Sequence, residues 1–87
     1  MYHMDELKIS KNELEKYGAK ASLILDYVRK NKSKDGWVCG KINILMDMFG
    51  WKYHVTQKHM KILIDKNVLE KTYIGEPYPT IYLREVK

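Results

Sequence analysis

The sequence predicts a small α+β domain with three helices, one short strand and a C-terminal β-hairpin. Three observations carry that expectation. A capping box at Ser10-Lys11-Asn12-Glu13 is followed by a long apolar stripe at helical spacing. Residues 54–66 repeat apolar positions at i, i+4, i+7 and i+8. Two β-rich runs, 68–74 and 80–86, flank Gly75-Glu76-Pro77-Tyr78-Pro79.

The elements follow in order. Residues 1–9 read as an N-terminal arm and residues 10–87 as a single domain. The stripe Leu14, Tyr17, Ala21, Ile24, Leu25 and Val28 predicts a first helix from Lys11 to Asn31, with Gly18 as its weak point. Arg29, Lys30 and Lys32 suit the negative end of that helix. The polar stretch 31–36 is a turn, Trp37-Val38-Cys39 a brief strand, and Gly40 its end. Lys41 to Met48 reads as a second helix with Ile42, Leu45 and Met46 inward, broken at Phe49-Gly50. The third helix, His54 to Lys66, turns Thr56, Met60, Leu63 and Ile64 inward and His54, Gln57, Lys58 and Lys61 outward. Asn67 stands where a helix commonly ends in a left-handed conformation. The two prolines of 75–79 do not fit a central strand and mark the hairpin loop.

Composition narrows the function classes. The 87 residues hold one core, and no apolar run approaches the ~20 residues of a membrane span. Met1 to Glu6 lacks the basic start and apolar stretch of a secretory signal, so a soluble cytoplasmic protein is expected. The single cysteine, Cys39, forms no internal disulfide and reads as a small buried apolar residue. Net charge is +5, carried by residues 1–34 (eight bases, five acids) and 35–67 (five bases, three acids), while 68–87 is neutral. That excess favours a polyanionic partner. Almost all of it is lysine, which suits point-charge contact with phosphates.

Catalytic and metal chemistry find little footing. There is no Gly-rich phosphate loop, HExxH, GxSxG or paired-carboxylate pattern, and Asp26, Asp47 and Asp65 read as solvated helix residues. His54 and His59 lie five apart on one helix and point to different sides, so no metal site is expected; nor is a cofactor.

The stretch Phe49-Gly50-Trp51-Lys52-Tyr53-His54-Val55-Thr56, followed by Leu63-Ile64-Asp65-Lys66-Asn67-Val68-Leu69, resembles winged helix-turn-helix regulators of the MarR and ArsR type. In those proteins the segment reads Leu-Gly-Leu-Ser-x-x-Thr-Val, then Leu-x-x-x-Gly-Leu-Ile and a wing. Phe49 and Trp51 take the apolar turn positions, Gly50 the turn glycine, and Asn67 replaces the glycine after the recognition helix. The likeness spans about residues 11–86. On its lysine, isoleucine and tyrosine richness the chain looks most like small regulators of archaea and their viruses, which would put it in a host cytoplasm if viral.

The resemblance implies a sequence-specific regulator of transcription that binds double-stranded DNA with helix 54–66 in the major groove. Lys52 and Tyr53 would meet phosphates at the helix entry, with His54, Gln57, Lys58 and Lys61 along the groove. Gln57 suits adenine, and Lys58 and Lys61 can contact guanine or phosphate. Trp37 and Trp51 read as core or boundary residues. On the wing, Lys71 and Arg84 flank a tip that carries an acid and no base. Tyr78 can donate to a phosphate or touch the minor groove; alternatively the tip meets a protein, as in a winged-helix interaction module of a transcription or replication assembly. A homodimer is expected through the arm and first helix, where Tyr2, Met4, Leu7, Ile9 and Tyr27 offer apolar groups.

Overall fold

The computed structural model describes residues 8–86. The elements are α1 (Lys11–Tyr17), α2 (Ala19–Asn31), β1 (Trp37–Cys39), α3 (Ile42–Phe49), α4 (Tyr53–Asp65), β2 (Leu69–Ile74) and β3 (Thr80–Glu85). The chain is thus α+β, with four helices and one antiparallel sheet in the order β1-β3-β2.

The fourth helix corrects the sequence reading. The predicted helix 11–31 breaks at Gly18, whose φ of 87° and ψ of 165° lie outside helical space. Both capping-box bonds form at its start: Glu13 N–H donates to Ser10 Oγ at 3.1 Å, and Ser10 N–H donates to Glu13 Oε1 at 3.0 Å. The stripe divides accordingly. Ala21, Ile24, Leu25 and Val28 are fully buried, whereas Leu14 before the break is 46% exposed.

The core joins those α2 residues to Leu45 of α3, Met60 and Leu63 of α4, and Val38, Leu69 and Leu83 of the sheet. Thr56 is also fully buried, and its hydroxyl donates to the Lys52 carbonyl at 3.0 Å one turn back. Asn67 has a φ of 60°, the left-handed value expected for it.

Two further sequence expectations are overturned by burial. Asp26 is not solvated: it is fully buried, accepts from the Lys8 backbone N–H at 2.5 Å and pairs with Lys30 at 3.1 Å. Tyr27 is not available to a partner, because it lies in the core and its hydroxyl donates to the Cys39 carbonyl at 2.9 Å. Ile9 is likewise packed against the core, and Cys39 is half-buried. Tyr2, Met4 and Leu7 lie outside the described residues.

Arg29 ties these parts together. Its Nε donates to Glu85 of β3, one terminal nitrogen donates to Glu13 of α1 and the Lys8 carbonyl, and the other donates to Glu13 and Glu85, at 2.6 to 3.0 Å. All five N–H donors of a guanidinium are thereby engaged. No described helix is long and apolar enough to cross a membrane.

Candidate nucleic-acid interface

The site is built on α3, a three-residue turn and α4. Gly50 ends α3 in the left-handed conformation (φ 70°, ψ 28°), and its N–H and that of Trp51 both donate to the Met46 carbonyl, at 2.8 and 3.2 Å. That closure satisfies orphan carbonyl capacity at the end of α3 and turns the chain sharply. Phe49 and Trp51, on either side of Gly50, stack with centroids 4.5 Å apart and pack against the core. The apolar turn positions therefore anchor α4 rather than face solvent.

Lys52 is the N-cap residue of α4. It is an uncommon choice there, since its side chain cannot accept from the free N–H groups as Ser, Thr, Asp or Asn would. No acidic residue occupies the first turn. The start of α4 thus combines the positive helix end with an exposed lysine. The same holds at α3, where Lys41 caps without a side-chain bond and the first turn has no acid.

Along α4, His54, Gln57, Lys58 and Lys61 are all exposed. With Ile62 and Asp65 they line a shallow depression on the outward surface. Gln57 and Lys61 also border a second groove, of about 330 Å³, between α4 and the sheet. Its floor is apolar, with Ile42, Met60, Ile64 and Ile81; Tyr53 stands on the helix wall, and Lys71 and Tyr73 on the β2 wall. The structure therefore brings Tyr53, His54, Gln57, Lys58, Lys61 and Lys71 to one continuous surface, with Lys52 at its helix entry.

Two predicted residues do not join it. Arg84 sits in the row Trp37–Arg84–Glu70, across all three strands. Its guanidinium lies 4.3 Å from the centre of the Trp37 ring and its Nε donates to Glu70 at 2.6 Å. Alternation along β3 places Arg84 on the sheet face opposite Leu83, away from the α4 groove, and at the foot of the hairpin rather than near its tip. Tyr78 is at the tip, 88% exposed, and lines neither the depression nor the groove.

The α4 surface carries more lysines than acids. Among the described residues, the acids Glu13, Asp26, Glu70 and Glu85 are engaged by Arg29, Lys30 and Arg84. Lys41, Lys52, Lys58, Lys61 and Lys71 form no ion pair with a described residue. Asp65, at the far end of α4, is the acid that shares their surface.

Sequence reasoning passed over three residues here. Tyr73 forms a groove wall because β2 alternates Leu69, Lys71 and Tyr73 onto the helix side, a pattern legible in the run itself. Lys41 carries the signal of a lysine at an N-cap. Lys20, at the start of α2, comes near α4 only in the fold. Burial against Trp51 pushes the His59 imidazole below its ordinary pKa, and the charges of Lys58 and Lys20 push it the same way. His59 is thus held toward its neutral form, with a buried Nδ1 that has no protein partner. No group of three or more His, Cys, Asp or Glu among the described residues is placed to hold a metal ion.

Such a surface can present cations and one side-chain amide to a polyanion along a helix narrow enough to enter a groove. Comparison with family models, curated proteins and solved structures finds no match to the chain.

Proposed function

We propose that this chain is a winged helix-turn-helix protein that binds double-stranded DNA and regulates transcription. On this reading α3 and α4 are the helix-turn-helix, and the β2–β3 hairpin is the wing. The observation that carries it is the make-up of the α4 face: Lys52 stands at its helix entry, and Lys58, Lys61 and Lys71 line its depression and groove with one acid, Asp65. On α4 Lys58 has His54 and Ile62 at i−4 and i+4 and so no acid to pair with, while Lys61 has Asp65 at i+4.

α4 enters the major groove, with Gln57 reading a base edge and Lys58 and Lys61 meeting phosphate or guanine. Lys52 and Lys41 contact the backbone from the helix N-termini, where the dipole also favours phosphate. Lys71 reaches the same strand from β2. A homodimer would set two such helices one turn of DNA apart. Leu14 and the neighbouring apolar depression formed with Ile9 and Leu23 are the surface for it that remains after Tyr27 is assigned to the core.

The test is binding to duplex DNA over a range of salt. Affinity should fall steeply with salt, in proportion to the phosphates contacted. No binding to duplex DNA even at low salt would overturn the reading. It would leave the second one, a protein-interaction module, which one observation favours: the hairpin tip exposes Tyr73, Ile74 and Tyr78 around Glu76 without a basic residue between them.

A further inference from the structure

The groove between α4 and β2 has more in it than duplex recognition needs. A surface that only follows a phosphate backbone requires cations. This groove adds two aromatic side chains on facing walls: Tyr53 on the helix, 52% exposed, and Tyr73 on the strand, 58% exposed. Between them lies the apolar floor of Ile42, Met60, Ile64 and Ile81. Gln57 stands at the rim, with an amide that can both donate and accept. Lys61, Lys71 and the acid Asp65 also line the groove, and the Lys71 ammonium lies 5.9 Å from the centre of the Tyr73 ring.

We infer that this groove takes one unpaired nucleobase, so that the protein prefers DNA in which a duplex adjoins a single strand. The chemistry is that of base capture. Aromatic faces stack on any base because every base presents a π-face, and a neighbouring cation holds the phosphate attached to it. A paired base cannot enter, since its faces are already covered by its neighbours in the duplex. The apolar floor gains contact with the buried edge of the ring system, and Gln57 can pair with its polar edge. Because Gln57 and Lys61 border both the groove and the outward depression, a base in the groove would be continuous with duplex held along α4.

The inference rests on the duplex-binding reading, and the experiment separates the two. The probes are a blunt duplex and the same duplex with a short 5′ or 3′ single-stranded extension carrying 2-aminopurine as its first unpaired base. The expected result is tighter binding of one extended duplex than of the blunt one, by roughly five-fold or more, the effect of stacking a single base. The 2-aminopurine fluorescence should drop on binding. Tyr73→Leu should remove both the preference and the fluorescence change, whatever it does to the blunt-duplex affinity. Tyr73→Phe, which retains the ring face, should keep both. Tyr73 is exposed, and matching thermal unfolding of both variants establishes that the groove wall alone has changed. Equal affinity for blunt and extended duplexes overturns this inference and leaves the duplex reading standing. A preference that survives Tyr73→Leu also overturns it. Failure to bind either probe overturns both.

Discussion

Arg29 of α2 and Glu85 of β3 are 56 positions apart and joined by two hydrogen bonds, Nε to Oε1 at 3.0 Å and a terminal nitrogen to Oε2 at 2.6 Å. Glu13 of α1 takes the opposite edge of the same guanidinium at 2.6 and 2.9 Å. One planar cation thus fastens the first helix, the second helix and the last strand. The three side chains are only 19% to 25% exposed, so solvent screens them weakly.

Arg29→Met should therefore destabilise the fold by about 1–3 kcal/mol, below the full cost of breaking a completely buried pair because some solvent reaches it. The variant leaves Glu13 and Glu85 facing each other without a cation. Urea denaturation followed by circular dichroism measures the change. A stability equal to the parent's would mean that the network contributes nothing net.

The same network sets an acid limit. Hydrogen bonds from Arg29, with those from Ser10, hold the Glu13 carboxyl down at about 2, against 4.5 when free. A depressed folded-state pKa gives stability that is present above the unfolded value and is lost as pH falls through the folded one. Stability should thus decline between pH 4.5 and pH 2. Glu13→Gln should flatten the profile in that window. An unchanged slope would show that Glu13 titrates alike in both states.

Two glycines make opposite demands. Gly50 has a φ of 70° with open space where a Cβ would stand, so Gly50→Ala should cost about 1 kcal/mol through backbone conformation alone. Gly40 is buried, and a Cβ there would lie 2.6 Å from Leu83 Cγ and 2.8 Å from its Cδ1. Leu83 is itself fully buried between β1 and β2, so it has little room to move. Gly40→Ala should be the more damaging of the two, measured as the difference in unfolding midpoint; the reverse order would show that Leu83 repacks freely.

On the α4 face, Lys58→Ala and Lys61→Ala should each weaken binding to most duplex sequences and lower the salt slope by about one. Gln57→Ala should instead relax discrimination at one base position, by roughly 1–3 kcal/mol. Selection from a random duplex pool with parent and variant measures this. An unchanged selected sequence would mean that Gln57 does not face the bases.

The sequence by itself determined the elements whose signals are local. The inward set Thr56, Met60 and Leu63, the turn at Gly50, the left-handed Asn67 and the capping box at Ser10 each follow from periodicity, from a residue type that suits a turn or from a side chain bonding its own helix end. The outward set of α4 follows equally, because a helix that buries one face exposes the other. What the tertiary structure decided is which charges and rings meet. The long helix breaks at Gly18, and α1 lies so that Glu13 meets Arg29, a contact across 16 positions that no local pattern encodes. Arg84 looks like a wing cation in the sequence, yet strand register sets it between Trp37 and Glu70. Asp26 and Tyr27 have polar atoms and read as surface groups, but Lys8, Lys30 and the Cys39 carbonyl satisfy them in the interior. The groove that sets Tyr53 opposite Tyr73 exists only because the hairpin folds back beside α4. Local pattern determines what a residue can do; long-range pairing decides which of those capacities is already satisfied and which remains for a partner.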